Sequence, residues 1–145
     1  MARHILVPLD GSEPSWAALE HAAENYEGSR ITALHVVDPS AGSYAGAEGG
    51  YYDPVAFDRA RERGEEICEE ARERLREAGV LETIDLETAV ETGGASRTIL
   101  EYAETEDVDH VVIGSHGRSG ISRILIGSVA ETVTRRAPVP VTIVR

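Results

Sequence analysis

The sequence predicts a single α/β domain over residues 1–145, a doubly wound, five-stranded parallel β-sheet with helices on both faces. Three observations predict this class. The length fits one domain, short apolar runs alternate with helical patterns, and neither a repeat nor a linker interrupts the order β-α-β-α-β-α-β-α-β. Such alternation gives parallel strands joined by crossover helices that cover both faces of the sheet.

The first two strands are predicted at His4–Asp10 (HILVPLD) and Arg30–Asp38 (RITALHVVD), both apolar runs typical of buried strands. Between them, Ser12 is a helix N-cap candidate and Pro14 suits a first helical turn. Apolar residues then recur at helical spacing until Gly28, so we expect one helix between the two strands.

The segment Pro39–Pro54 is rich in Gly, Ala, Ser and Tyr and has no sustained period, so it is predicted to be a long excursion loop. A long helix follows over Val55–Ala78, with Gly79 as its C-cap. Cys68, the only cysteine, lies in this helix among acidic neighbours. Those neighbours disfavour a thiolate, and we interpret Cys68 as a small packing residue rather than a nucleophile.

The second half of the chain continues the alternation with three strands and two helices. They are predicted as a more exposed strand at Thr83–Val90, a short helix after Gly93 and Gly94, a buried strand at His110–Gly114, a helix over Ser128–Arg136 and a closing strand in PVPVTIVR, Pro138–Arg145. Pro140 in that last strand suits the edge of a sheet, because proline cannot donate to a ladder.

The charge balance is acidic: 26 Asp and Glu oppose 14 basic residues, all of them arginine, for a net charge of -12. Such a charge repels nucleic acid and anionic membranes, so neither is expected as a partner. An acidic, lysine-free surface is also the pattern expected of a halophilic protein, because salt screens its self-repulsion. The sequence shows neither a membrane-spanning run nor a signal-peptide pattern, and we expect a cytoplasmic protein.

A glycine- and serine-rich stretch, Gly114–Ser128, lies between the fourth predicted strand and the last helix. Glycine lets the backbone approach a ligand closely, and a helix that starts at Gly127 and Ser128 offers free amides and a positive dipole end to phosphate. His116, Arg118 and Ser119 add side-chain donors. The stretch predicts a phosphate-binding loop; its alternative is a structural crossover that binds nothing.

Ligands of open parallel sheets bind outside the carboxyl ends of the strands. This rule brings together Pro8–Ser12, Val36–Asp38 and the stretch after Gly114. Common nucleotide motifs do not describe the stretch: a Walker loop needs lysine, which the chain lacks, and no GxGxxG follows a strand. A conventional P-loop NTPase and a dinucleotide dehydrogenase are therefore disfavoured.

The spacing Gly114, two residues, Gly117, nine residues, Gly127, Ser128 resembles the ATP-binding signature of the universal stress protein family. The likeness extends over the chain, from ILVPLDGSEPSWAALEHA and ALHVVD through GSHGRSG and LIGSVAETV to PVPVTIVR. It implies the strand order 3-2-1-4-5 and a homodimer joined through the last strands, Val139 to Val144.

The same resemblance implies a site for ATP, with Mg²⁺ or Mn²⁺ bridging its phosphates. Its residues would be Pro8, Leu9 and Asp10 on the adenine and ribose side, the Val36 backbone at the adenine edge, Ile113 and Gly114 beside the ribose, and Ser115, His116, Gly117, Arg118, Gly127, Ser128, Val129 and Ala130 around the phosphates. Arg118 replaces a lysine that other members often have, and Ala130 replaces a hydroxyl residue of some members.

Two of these residues, and His35 next to Val36, also have structural interpretations. Asp10 suits a turn before the helix, and His116 could cap or pack. His35 fits a hydrogen-bonded core histidine better than a ligand. The sequence thus predicts an ATP-binding stress-response or regulatory protein with at most weak ATPase activity, because it nominates no catalytic base. Two alternatives stay open: a slow ATP-hydrolysing switch enzyme, and an interaction protein whose glycine loop is vestigial.

Overall fold

A computed structural model describes residues 2–44, 51–116 and 126–145. Five parallel strands form one sheet in the order β3-β2-β1-β4-β5. Their bounds are β1 His4–Pro8, β2 Arg30–Val37, β3 Asp85–Thr92, β4 His110–Gly114 and β5 Val141–Val144. The predicted fold class and the strand order 3-2-1-4-5 are confirmed.

In the described part of the chain, four helices cover the sheet, two on each face: α1 Glu13–Asn25, α2 Pro54–Glu77, α3 Ala95–Thr105 and α4 Ser128–Arg136. One apolar cluster joins α1 and α2 to the sheet through residues such as Leu19 and Ile67. A second cluster joins α3 and α4 to the opposite face through Ile99 and Val133. Alternate residues of β1 divide between the two clusters, as the period of a strand buried on both faces requires.

Local signals account for the start of α1. The Ser12 hydroxyl accepts the Ser15 amide at 3.4 Å, and Pro14 lies in the first turn. Amides in the first turn of a helix have no partner within the helix. Proline, which lacks this amide, therefore destabilises the helix little at that position. The predicted cap and entry of this helix are confirmed.

The third strand lies two residues later than Thr83–Val90, the range that the sequence predicts. Residues Leu81–Thr83 form a 3-10 turn, and the Thr83 carbonyl accepts the Gly28 amide at 2.8 Å. The strand then continues as far as Thr92, because β2 offers it a partner up to Val37. Pairing with a neighbouring strand, rather than local alternation, sets these bounds.

The described parts of the segment Pro39–Pro54, residues 39–44 and 51–54, are more regular than a long excursion loop. Pro39–Gly42 is a 3-10 turn, and Ser43–Tyr44 pairs antiparallel with Tyr51–Tyr52. The Asp53 amide donates to the Gly42 carbonyl at 2.6 Å and closes the base of the excursion. These contacts join residues on either side of the excursion, so local patterns did not reveal them.

Smaller differences concern the ends of strands. β1 ends at Pro8 rather than Asp10, β2 at Val37 rather than Asp38, and β5 begins only at Val141. Pro138 and Pro140 have no amide to donate, which delays β5. Its place at the edge of the sheet is the one that Pro140 predicts.

Cys68 is 7 % exposed and packs between α2 and the sheet. Burial raises the pKa of its thiol, and the carboxylates of Glu65 and Glu69 act in the same direction. The prediction of a packing cysteine is confirmed. Within the described helices, none combines the length and apolarity that a membrane span needs.

Candidate functional site

The carboxyl ends of β1 and β4 form the crevice at which we expect a ligand. The two strands are neighbours, with Leu6 paired to Val111. After β1 the chain enters α1 on one face of the sheet, whereas the chain beyond β4 leads to α4 on the other face. This divergence is the topological switch point, where parallel α/β sheets open a crevice.

The turn between β1 and α1 forms one wall of the crevice. Pro8 and Leu9 are buried, and Asp10 is half-buried. The Asp10 carboxylate accepts the Ser12 amide at 2.9 Å and also the Ser12 hydroxyl. Gly11 has φ of 83°, a conformation that side chains disfavour. Asp10 therefore stabilises the turn between β1 and α1. This turn faces the switch point.

The end of β4 lies against the first turn of α1. A Cβ at Gly114 would lie 2.6 Å from the carbonyl carbon of Pro14, so only glycine fits without a shift of backbone. The side chain of Ile113, next to it, is buried against α3 and α4. Gly114 is thus needed for packing, whatever it contacts in a ligand.

Three hydrogen bonds fix the start of the glycine-rich loop, and one of them joins it to the end of the loop. The Ser115 amide donates to the Val144 carbonyl of β5 at 2.7 Å, and the Gly127 amide donates to the Ser115 carbonyl at 2.6 Å. A hydrogen bond of 3.0 Å joins the Ser115 hydroxyl and His116 Nδ1. Gly127 approaches so closely that a Cβ there would lie 3.0 Å from His116 Cα. The N-terminus of α4 is thereby fixed beside the end of β4.

The first turn of α4 offers the amides of Ser128, Val129 and Ala130. The Glu131 amide donates to the Gly127 carbonyl at 2.9 Å, so the amides before it precede the helical hydrogen-bond pattern. The Ala130 side chain is buried, and only its backbone can face a ligand. Unpaired amides at a helix N-terminus suit an anion such as phosphate. The Glu131 carboxylate opposes that preference but is paired with Arg135 at 2.8 Å.

The last residues of β2 lie on the other side of the β1 turn. The Leu34 carbonyl accepts the Leu9 amide at 2.8 Å, so backbone groups of Leu34 face β1. The backbone groups of Val36, two residues further along β2, face the same side of the strand. They lie beyond the point where β1 ends. The nearby Asp38 carboxylate accepts the Ser40 amide at 2.8 Å, a bond that lowers its pKa.

Arg63, which the sequence did not nominate, lies beside this turn. A Cβ at Gly11 would lie 3.5 Å from a guanidinium nitrogen of Arg63 and 3.4 Å from Ile67. Both residues belong to α2, one turn apart. No local pattern indicates this approach, because Gly11 and Arg63 are distant along the chain; the glycine within α2, Gly64, marks a different contact, with His35.

The structure thus brings together Pro8, Leu9, Asp10, Val36, Gly114, Ser115, His116 and the N-terminus of α4. Gly117, Arg118 and Ser119 lie outside the described residues. Across residues 2–44, 51–116 and 126–145, no group of three or more His, Cys, Asp or Glu side chains could hold a metal ion. The described donors suit an anionic ligand rather than a bare cation.

Comparison with known proteins agrees with this architecture. The universal stress protein family model matches residues 1–145. Universal stress protein MJ0531 of Methanocaldococcus jannaschii is 33% identical over 146 residues, which cover 99% of this chain and 82% of that protein. The solved structure of UspA from Lactobacillus plantarum superposes with a TM-score of 0.80 at 29% identity, covering 99% of this chain and 97% of UspA.

A universal stress protein solved in complex with cAMP has a TM-score of 0.71 at 24% identity and covers 99% of this chain and 97% of its own. At that identity the likeness shows the fold alone.

Proposed function

Because this chain belongs to the universal stress protein family, we propose that it binds an adenine nucleotide, ATP foremost, and acts as a nucleotide-dependent stress-response or regulatory protein. The observation that supports this most directly is the bond of 2.6 Å from the Gly127 amide to the Ser115 carbonyl. It holds the first-turn amides of α4, which have no backbone partner among the described residues, beside the carboxyl end of β4, where an anion would meet them.

In this proposal the phosphates lie on the amides of Ser128, Val129 and Ala130, next to the Ser115 hydroxyl and His116. The guanidinium of Arg118 is proposed to supply a positive charge to the phosphates. Gly117 is proposed to lie beside the phosphates as well. The adenosine part lies toward Pro8, Leu9, Asp10 and Val36, with Ile113 and Gly114 beside the ribose. Mg²⁺ or Mn²⁺ would bridge the phosphates and take most of its ligands from the nucleotide and water.

A hydrolytic enzyme is the second candidate, and the described residues favour binding over turnover. The Asp10 carboxylate is engaged by Ser12, and His116 Nδ1 shares a hydrogen bond with the Ser115 hydroxyl. Hydrolysis needs a positioned water or base and extra charge stabilisation in the transition state. Turnover of ATP by the purified protein separates a switch enzyme from a binding protein.

The experiment that tests nucleotide binding compares thermal unfolding with and without Mg·ATP, for the native chain and for Ser128→Pro. Proline is favoured at the first position of a helix, and the extended ψ of 156° at Gly127 accepts a following proline. The variant should therefore fold, lacking one amide donor and the hydroxyl. At 100 times Kd, ligand adds about 2.7 kcal/mol of stability to the native chain. We expect Ser128→Pro to bind about tenfold more weakly.

Two variants serve as controls. Ser128→Ala keeps the amide and loses only the hydroxyl. Ala95→Pro places the same residue at the first position of α3, after Gly94, whose ψ of 135° is also extended. We expect Ala95→Pro to bind ATP as the native chain does. If none of ATP, ADP, AMP and cAMP raises the melting temperature of the native chain, the proposal is wrong and the interaction-protein alternative is favoured.

We also propose that the protein forms a homodimer through residues Val139 to Val144. The strand β5 is the edge of the sheet and pairs only with β4 among the described strands. Its four residues Val141–Val144 are all half-buried in the single chain. An apolar edge strand of this kind gains stability when another surface covers it.

A further proposal concerns salt. With a net charge of -12, self-repulsion opposes the compact state, and added ions screen it. We expect the melting temperature to rise when KCl is increased from low to molar concentration, measured by circular dichroism without nucleotide. A fall in melting temperature over that range would argue against adaptation to high salt.

A further inference from the structure

The ladder between β1 and β2 ends in an unusual way. Its last backbone bond runs from the Leu9 amide to the Leu34 carbonyl at 2.8 Å. In a regular parallel ladder, the Val36 amide would next donate to the Leu9 carbonyl. Here the imidazole Nδ1 of His35 donates to that carbonyl, at 2.8 Å. Among the described residues, no backbone amide bonds the Leu9 carbonyl.

Because the imidazole takes the place of the Val36 amide at the Leu9 carbonyl, the backbone amide and carbonyl of Val36 have no partner among the described residues of β1. The amide and carbonyl of Val36 point to the same side of β2 as those of Leu34, which is the side of β1. At the level of Val36, however, β1 has ended and the chain has turned toward α1. One donor and one acceptor, adjacent on the same strand, therefore face the crevice. Such a pair matches a planar ring that has an acceptor nitrogen next to an amino group, as the edge of adenine does.

The imidazole is held firmly in this position. A Cβ at Gly64 of α2 would lie 2.7 Å from His35 Cδ2 and 3.3 Å from a methyl carbon of Val90. Alanine is favoured over glycine inside a helix, so the close approach of the ring explains the glycine. Because a carbonyl oxygen only accepts, Nδ1 carries the proton, and the ring orientation fixes the Leu9 carbonyl.

We propose that His35 is a positioning residue for the nucleotide site: by taking the Leu9 carbonyl, it keeps the Val36 amide available to the base of the ligand. This inference rests on the proposed function. Without the imidazole donor, the Leu9 carbonyl is free to accept the Val36 amide, which lengthens the ladder by one bond. The site then loses the donor that reads the base.

The test compares His35→Leu with His35→Asn. Leucine removes the donor, whereas the side-chain amide of asparagine places an N–H near the position of Nδ1. We expect His35→Leu to bind ATP about tenfold more weakly, and His35→Asn to stay within about threefold of the native chain. The preference for ATP over GTP should fall in His35→Leu as well, because guanine presents the reverse donor and acceptor pattern.

Amide hydrogen exchange of Val36, measured by NMR without nucleotide, gives a readout that a merely structural role would not move. Val36 should exchange more slowly in His35→Leu than in the native chain, although the variant is less stable overall. Unchanged ATP affinity in a folded His35→Leu, or a Val36 amide already protected in the native chain, would overturn this inference alone. A native chain that binds none of the nucleotides would overturn the proposed function and this inference together.

Discussion

Replacing Gly114 with serine is expected to destabilise the protein by about 3 kcal/mol, the upper part of the range for an overpacked site. A Cβ at this position would lie 2.6 Å from the carbonyl carbon and 2.8 Å from the carbonyl oxygen of Pro14. Both atoms are backbone, so no side-chain rotation relieves the clash. Either β4 or the first turn of α1 has to move, and both form walls of the candidate site.

The measurement is urea unfolding at fixed KCl, because urea leaves the ionic strength unchanged. Gly94→Ser is the matched control: nothing lies within 4 Å of a Cβ at Gly94, and serine is a good N-cap for α3. We expect the control to stay within about 0.5 kcal/mol of the native chain. Equal stability of Gly114→Ser and Gly94→Ser would contradict the close approach of β4 to α1.

Replacing Ile67 with alanine is expected to lower the free energy of unfolding by about 3 kcal/mol, since large-to-small changes in a core leave a cavity. Ile67 is 1% exposed and packs α2 against the sheet. It also lies 3.4 Å from the position of a Cβ at Gly11, so it holds α2 over the β1 turn. Loss of this contact should also weaken ATP binding, to a smaller degree than Ser128→Pro.

Val55→Ala on the same helix provides the comparison, because Val55 is 56% exposed. It should change stability by at most about 0.5 kcal/mol. Both variants are unfolded with urea and assayed for ATP binding by the thermal shift. A loss below about 1 kcal/mol in Ile67→Ala would mean that α2 does not depend on this contact.

Elements with strong local signals could be read from the sequence. The cap at Ser12 with Pro14 predicted where α1 begins, and α4 occupies the predicted range Ser128–Arg136. Capping hydrogen bonds and helical periodicity act within a few residues, so they are visible in a short stretch of chain. The strand order came instead from the resemblance of whole motifs to a family, and the topology confirms it.

Some features of the candidate site could likewise be predicted from local sequence, and others depend on tertiary contacts. The sequence pointed to the glycine-rich stretch, because a strand end followed by a helix start at Gly127 is a local pattern. It did not indicate that Arg63 approaches Gly11, or that the ring of His35 packs against Gly64. These contacts join residues that are distant along the chain, and they exist only once α2 has docked on the sheet.

By itself, the sequence determined the alternation of strands and helices, the acidic surface and the position of the glycine-rich stretch, all of which follow from local composition and periodicity. The tertiary structure decided the register of β3, the pairing around the excursion and the use of His35 in place of a backbone amide. The physical reason is that hydrogen-bond partners and close contacts are chosen between segments, after packing has brought them together.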